Sequence, residues 1–285
     1  MKRHGKNWRK QKNPREYPDL HGKIGDELMG KIHLAGADNA RDLGGLKTTD
    51  GKIIQKGHLI RSNRLSRITK KDTDILCEQY HLRKIIDLRT PMEAEQEADV
   101  EVPGASYMNI PFFVESMIGI SHEKENRHHM MRRMDDLPKM EDLYVMIVEN
   151  PYCRKQMSKA LQQVMHTENG AVLWHCTEGK DRCGLLSAMV LFCLNVSEQD
   201  VMEDYLKTNK AAAKRIDQLY QKWRNLGISK GRAERMEGMF IAKEDFMQAA
   251  LNSMKKEFGS PEAFIGQALE IPEQEIENFR EKVLN

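Results

Sequence analysis

The feature that most constrains this 285-residue chain is the run His175-Cys176-Thr177-Glu178-Gly179-Lys180-Asp181-Arg182-Cys183-Gly184, together with the apolar stretches on either side of it. Ahead of it, Ala171-Val172-Leu173-Trp174, bounded by Gly170, has the length of a buried strand. Behind it, Leu185, Leu186, Ala188, Met189, Val190 and Leu191 extend far enough for a buried helix. The motif therefore reads as a tight loop that carries the chain from a strand end into a helix N-terminus. Backbone N–H groups at such a place have no intrahelical partner and bind anions, phosphate above all.

Five residues separate Cys176 from Arg182. A sulfur at the base of this loop is surrounded by amides, a helix N-terminus and a guanidinium, all of which favour the thiolate. Thr177, Glu178, Gly179 and Lys180 are enough chain to curl into a nest of N–H groups around a phosphoryl group. Arg182 then closes the nest with paired hydrogen bonds to two phosphoryl oxygens. A thiolate below and a cationic clamp around the oxygens is the arrangement for in-line attack on phosphorus, with a phosphocysteine intermediate.

His-Cys-x-x-Gly-Lys-Asp-Arg-x-Gly resembles the signature loop of the bacterial tyrosine phosphatases with dual tyrosine and phosphoinositide activity, within the cysteine-dependent tyrosine phosphatase superfamily. Asn39-Ala40-Arg41-Asp42-Leu43-Gly44-Gly45 is similar to the motif that opens these domains, and Arg61-Ser62 follows at a similar interval. Ile86-Asp87-Leu88-Arg89 looks like the family's central strand, and Phe258-Gly259-Ser260 falls in a matching C-terminal stretch. The resemblance spans Ile32 to Asn285. It implies an α/β phosphatase-like fold, with a central, mostly parallel sheet, flanking helices, a helical C-terminal half and a lid. It also implies hydrolysis of phosphomonoesters in proteins or phosphoinositides, with no cofactor and no metal.

Composition narrows the remaining classes. A net charge of +2 gives no global pull toward nucleic acid, and no apolar run approaches the roughly 18 residues of a membrane helix. Five cysteines without a secretory signal suggest reduced thiols and a cytoplasmic setting. Residues 1–30 read as a basic tail, partly disordered, ahead of one catalytic domain over 31–285. Lys2, Arg3, Lys6, Arg9, Lys10, Lys12 and Arg15 stand against a single acid, Glu16, in the first 18 residues. Such a tail is a solvated extension, or a weak contact with anionic membrane at about 1 kcal/mol per basic residue. Oligomeric state is not legible.

In chain order, Ile53-Ile54 and Leu59-Ile60 read as short strands, and Thr69 is an N-cap for a helix running to Tyr80. A strand over Lys84–Leu88 follows. Asp87 and Arg89 at its end have two readings, a structural ion pair or a supporting role in the pocket. Between Pro111 and Pro151, Met130, Met134 and Leu137 fall at helical spacing and read as core packing or a lid. His122, His128 and His129 lack partners for a metal. Leu143 to Met165 has the periodicity of one long helix. Ser197 is an N-cap three residues before Asp200, and Pro272 suits a first turn. The family's helical cover falls on Tyr205 to Met239, where Lys207, Lys210, Lys214, Arg215, Lys222 and Arg224 are read mostly as a solvated face.

No Trp-Pro-Asp occurs, so the proton donor suggested by the related phosphatases is Asp181, with Asp87 or a lid acid as the alternative. Lys180 is expected to add positive charge at the rim, favouring inositol head groups, and Glu178 to add negative charge at the mouth. Cys183 stands where the family has Ser or Thr. A thiol is the weaker donor there, which predicts slower breakdown of the phosphoenzyme. It also raises a protective Cys176–Cys183 disulfide, which a non-reducing mass map of peroxide-treated protein tests. A phosphoinositide phosphatase, a rhodanese-like sulfurtransferase and an inactive phospho-binding module are the alternatives. The intact Cys-x5-Arg spacing with Gly-Lys-Asp opposes the sulfurtransferase, and the presence of both Cys176 and Arg182 opposes the inactive module.

Overall fold

The computed structural model describes residues 30–118, 139–225 and 237–285. The basic tail, the Met130–Leu137 stripe with its lid reading, and the three histidines at 122, 128 and 129 lie outside the described residues.

In chain order the elements are β1 (Arg41–Asp42), β2 (Leu59–Ser62), α1 (Lys70–Asp74), β3 (Lys84–Asp87), α2 (Pro91–Gln96), β4 (Ser106–Asn109), α3 (Met140–Glu149) and α4 (Pro151–Met165). They continue with β5 (Val172–His175), α5 (Asp181–Cys193), α6 (Glu198–Leu206), α7 (Thr208–Asn225), α8 (Glu244–Phe258), α9 (Pro261–Gln267) and α10 (Glu273–Val283). The strands form one sheet in the order β1-β2-β5-β3-β4, with only the β1–β2 pair antiparallel. The middle strand is β5, which feeds the signature loop, and not the Ile86-Asp87 strand that the motif comparison placed there. Ser62, His175, Asp87 and Asn109 are in register at the carboxyl ends. Ligands of open parallel sheets bind beyond that end.

Period-two alternation divides the strands between two cores. Leu59, Ile86, Val172 and Trp174 join the larger cluster, with α3 to α6 and α8 to α10. Ile60, Ile85 and Leu173 join the smaller one, beneath Ile32, Leu34, Leu65, Ile68 and Leu76. Helix α5 is buried from Arg182 to Cys193, as expected of a helix apolar on every side. Each Leu, Val or Phe buried there contributes about 1.5–3 kcal/mol. No helix among the described residues is long and apolar enough to cross a membrane.

Local signals explain most boundaries. Thr69 caps α1 with a reciprocal box: its hydroxyl accepts from the Asp72 N–H, and Asp72 accepts from the Thr69 N–H. The turn then widens into a π-helical segment, Ile75–Gln79. Ser197 caps α6 by accepting from the Asp200 N–H. Three expectations are corrected. Leu143–Met165 is two helices, because Pro151 lacks an N–H and Asn150 caps α4 by accepting from the Tyr152 N–H at 2.9 Å. Pro272 is the N-cap of α10 and not a first-turn residue. Ile53 and Ile54 form isolated bridges with Lys47 and Leu284 in place of a strand.

Candidate active site

The loop after β5 is held from outside by its carbonyls. The Arg64 N–H donates to the Thr177 carbonyl at 3.3 Å. Asn39 Nδ2 donates to the Glu178 carbonyl at 3.2 Å and the Gly179 carbonyl at 3.1 Å, and Arg61 Nη2 reaches the Gly179 carbonyl at 3.0 Å. None of the described peptide bonds is cis, so the N–H across each of these peptides points the opposite way. The amides of Glu178, Gly179 and Lys180 therefore turn away from the scaffold, toward the side where an anion would sit. Gly179, at φ 66°, permits this: a Cβ there would lie 2.6 Å from the Ser62 carbonyl oxygen.

The two arms of this scaffold share one carboxylate. Arg41 Nε donates to Asp204 Oδ1 at 2.8 Å, and Arg61 Nη1 donates to Asp204 Oδ2. Arg41 also donates to the Asn39 side-chain oxygen, orienting the amide that grips the loop. All four side chains are buried. Burial raises the Asp204 pKa, but Arg41 and Arg61 outweigh it and hold the carboxyl well below its ordinary range. Gly184 leaves room for this packing, since a Cβ there would lie 2.9 Å from the Tyr205 ring. The opening motif lies against the signature loop through Asn39. Its Asp42 braces a turn instead, accepting from the N–H groups of Gly44 (2.8 Å) and Gly57 (2.6 Å).

Arg182, in the first turn of α5, forks onto Glu93, with Nη1 to Oε2 and Nη2 to Oε1 at 3.0 Å. The Thr177 hydroxyl donates to the same carboxylate, and the guanidinium carbon lies 4.9 Å from the Phe113 ring centre. Glu93 itself is fixed by the α2 capping box with Thr90. Burial opposes its ionisation, but Arg182 and Thr177 outweigh it, bringing its pKa down to about 2. Cys176, at the base, is 2% exposed.

Asp181, the first residue of α5, is 19% exposed. Its Oδ1 accepts from the Tyr144 hydroxyl at 2.7 Å and lies 3.3 Å from Lys180 Nζ. Tyr144 is in turn 2.7 Å from the Tyr205 hydroxyl. Burial first, then Asp181, pushes the Tyr144 phenol well above its ordinary pKa, so it stays a hydrogen-bond donor.

Several expected roles are corrected. Lys180 carries no rim charge: it is fully buried, donating to the carbonyls of Gly238 (2.6 Å) and Ile241 (3.1 Å), with its Nζ 5.6 Å from the Phe246 ring centre. Its ammonium fastens the 238–241 segment to the loop. Glu178 is half-buried with its carboxylate 3.7 Å from Arg64 Nη1, a guanidinium that it shares with Glu97 at 2.9 Å, so its charge is only partly offset. Cys183 points its thiol at the Trp174 carbonyl, 3.7 Å away, and lies beside Arg61. Burial pushes that thiol up to about 11. Asp87 and Arg89 form a buried ion pair at 2.7 Å, so Asp87 has no access to a substrate as a proton donor.

Arg89 also reaches Asp99 at 3.0 Å, and Asp99 Oδ2 lies 2.7 Å from His175 Nε2. Asp87, Asp99 and His175 bring ligand-type atoms within 4.8 Å of one another. The set does not suit a cation, because Arg89 already supplies the positive charge between both carboxylates. It is a brace beneath the loop.

Sequence reasoning missed Glu93, Asp204, Tyr144 and Tyr205. Thr90-Pro91-Met92-Glu93 was readable as a helix start, but nothing along the chain ties it to Arg182, 89 residues away.

An α/β sheet whose middle strand delivers Cys-x5-Arg to an outward-braced loop is the architecture of a cysteine-dependent phosphatase. Residues 32–285 match the tyrosine phosphatase family, and the chain belongs to it. It is a phosphatase, a hydrolase acting on phosphorylated substrates. Among curated relatives, a Cupriavidus necator protein named "Putative tyrosine-protein phosphatase" is 25% identical over 82% of this chain and 82% of its own length. The tyrosine-protein phosphatase of Nostoc commune is 28% identical over 66% of this chain and 56% of its own. The triple specificity protein phosphatase PtpB of Mycobacterium tuberculosis is 21% identical over 81% and 91% respectively. Among solved structures, the catalytic core of Siw14 aligns with 77% of this chain and 94% of its own at 16% identity, with a TM-score of 0.33.

Proposed function

We propose that the protein hydrolyses phosphotyrosine in proteins through a phosphocysteine intermediate, with Cys176 as nucleophile, Arg182 as phosphate clamp and Asp181 as proton donor. The observation that carries this reading is the outward anchoring of the Thr177, Glu178 and Gly179 carbonyls, which turns the loop amides inward above the buried Cys176. Those amides and Arg182 neutralise the three non-bridging oxygens as charge redistributes in the transition state. A guanidinium has five N–H donors. Glu93 and Thr177 take three of them on Arg182, which leaves two for phosphoryl oxygens.

The sulfur–phosphorus bond forms as the ester oxygen–phosphorus bond breaks, and the leaving phenolate takes a proton from Asp181. Tyr144 and Lys180 crowd Asp181 Oδ1, which leaves Oδ2 to carry that proton. The same carboxylate then takes a proton from the water that attacks phosphocysteine, releasing phosphate and restoring the thiolate. A phosphoinositide head group would meet no free Lys180 at the loop, so the protein substrate is favoured over it.

The test is kcat/KM on phosphotyrosine peptide, phosphoserine peptide and a soluble inositol phosphate, with Cys176→Ser as blank. Acid quench during turnover of the tyrosine peptide is expected to trap phosphate on Cys176. Turnover surviving in the serine variant, or higher kcat/KM on the inositol phosphate, overturns the proposal.

A further inference from the structure

A cleft lies at the other end of the sheet. It opens at the amino ends of β2 and β5, where Leu59 and Val172 begin, and encloses about 490 Å³. Four residues of strand, roughly 13 Å at 3.3 Å per residue, separate it from the carboxyl ends that carry the phosphatase loop. Its volume is that of a small-molecule site.

Its lining is divided by chemistry. The floor is apolar and buried, made by Leu59, Val164, Val172, Phe279 and Val283. The rim carries Lys56, His58, His81 and Lys282, and no carboxylate lines the cleft. Lys282 is the informative one. Its Nζ donates to the carbonyls of Met165 and Thr167, the latter at 3.0 Å, and no carboxylate among the described residues lies within ion-pair distance. Burial lowers its pKa, and Glu168, beyond ion-pair distance, offsets only part of that cost. Two non-glycine residues of the lining, His81 at φ 47° and Asn169 at φ 57°, are held in the left-handed region, a costly backbone state that collects at binding sites.

We infer that this cleft binds a small organic carboxylate with an apolar body, its head group on Lys282 and its body beside the half-buried Tyr80 ring, above the apolar floor. An ammonium has three donors, and two are already on carbonyls, so one remains for the ligand. One donor beside two carbonyl oxygens suits a monoanion and disfavours a dianion, which those oxygens repel. Lys56, exposed at the rim, adds attraction without a fixed contact. The site is separate from the phosphate loop, so both can be filled together.

The experiment is calorimetric titration of sodium octanoate into the full chain, with orthovanadate present to fill the phosphate loop. One equivalent is expected to bind, with the same affinity whether or not vanadate is there. Lys282→Gln is expected to weaken it at least tenfold, and 1-octanol, with the same body and no charge, to bind at least tenfold more weakly. Because Lys282 also holds two carbonyls, Lys56→Glu at the exposed rim is the second variant, with a loss of at least threefold expected. Equal binding of octanol, tighter binding of the dianion phenylphosphonate, displacement by vanadate, or unchanged affinity in both variants overturns the assignment.

Discussion

Replacing Gly179 with alanine tests the claim that the loop is shaped from outside. Gly179 has φ 66°, and the added Cβ would lie 2.6 Å from the Ser62 carbonyl oxygen, 2.7 Å from the Asn63 nitrogen and 2.8 Å from Asn39 Nδ2. Comfortable separations begin at about 3.5 Å, so the loop must retreat by roughly 0.7–0.9 Å. The left-handed backbone adds about 1–2 kcal/mol for a residue with a side chain. Weakening the Asn39 and Arg61 bonds to the Gly179 carbonyl adds about 1 kcal/mol each. The sum is a destabilisation of roughly 3–4 kcal/mol, about 6–16 °C in Tm for a chain of this size. The larger effect falls on chemistry: displacing catalytic groups by about 1 Å costs on the order of 100-fold. Measured well below the melting temperature, kcat/KM on a phosphotyrosine peptide should fall about that much, with vanadate affinity falling in parallel. Gly104→Ala is the control, since Gly104 has φ 81° but open space around its Cβ position. It should lose stability and keep activity. A folded Gly179→Ala enzyme within threefold of the parent would refute the reasoning.

Three further outcomes follow from the same geometry. Asp181→Asn should lose at least 100-fold in kcat on phosphotyrosine but under tenfold on an aryl phosphate with a strongly acidic phenol, because the better leaving group needs no proton; equal losses would make Asp181 a brace. Glu93 has its folded pKa depressed to about 2 from an ordinary 4.5, so its stabilisation is present above pH 4.5 and is lost as pH falls toward 2. After discounting for a side chain about a third exposed, this is about 1–2 kcal/mol, and Glu93→Gln should flatten the acid limb of a urea-unfolding series over that window. Asp204→Asn leaves two buried guanidiniums without a counter-charge and should cost about 3–5 kcal/mol, read by chemical denaturation; a loss under 1 kcal/mol would show that the arginines find other partners.

What the sequence made legible was local. The strand–loop–helix around Cys176 follows from two apolar runs and a fixed spacing, and Thr69 and Ser197 announce their helices by side-chain chemistry that acts over three residues. The break at Asn150-Pro151 was equally local and was overridden by a helical period that continues on both sides of it. Lys180 shows the other limit. A lysine in a phosphate loop reads as a phosphate ligand, and only the fold reveals two carbonyls 58 and 61 residues away that take its charge first. Glu93 and Asp204 were silent for the same reason. Their partners are 89 to 163 residues distant, and an acid in an amphipathic helix has no sequence mark that separates a solvated one from a buried counter-ion.

Asp204 also bears on the order in which the enzyme comes into being on the ribosome. Every strand of the sheet and the whole signature loop are translated before it, yet Arg41 and Arg61 have no other carboxylate partner among the described residues. The carbonyls that take the Lys180 ammonium come later still, at Gly238 and Ile241. A nascent chain that has just released residue 193 thus holds its cysteine and arginine in sequence, but with Arg41 and Arg61 lacking their carboxylate and Lys180 paired with Asp181 alone. Activity should switch on only after α6 and the 238–241 segment have emerged, and a chain ending at residue 200 should bind no vanadate. The helical third of the protein is in that sense a timer, leaving the loop around Cys176 unbraced until α6 and the 238–241 segment have been made.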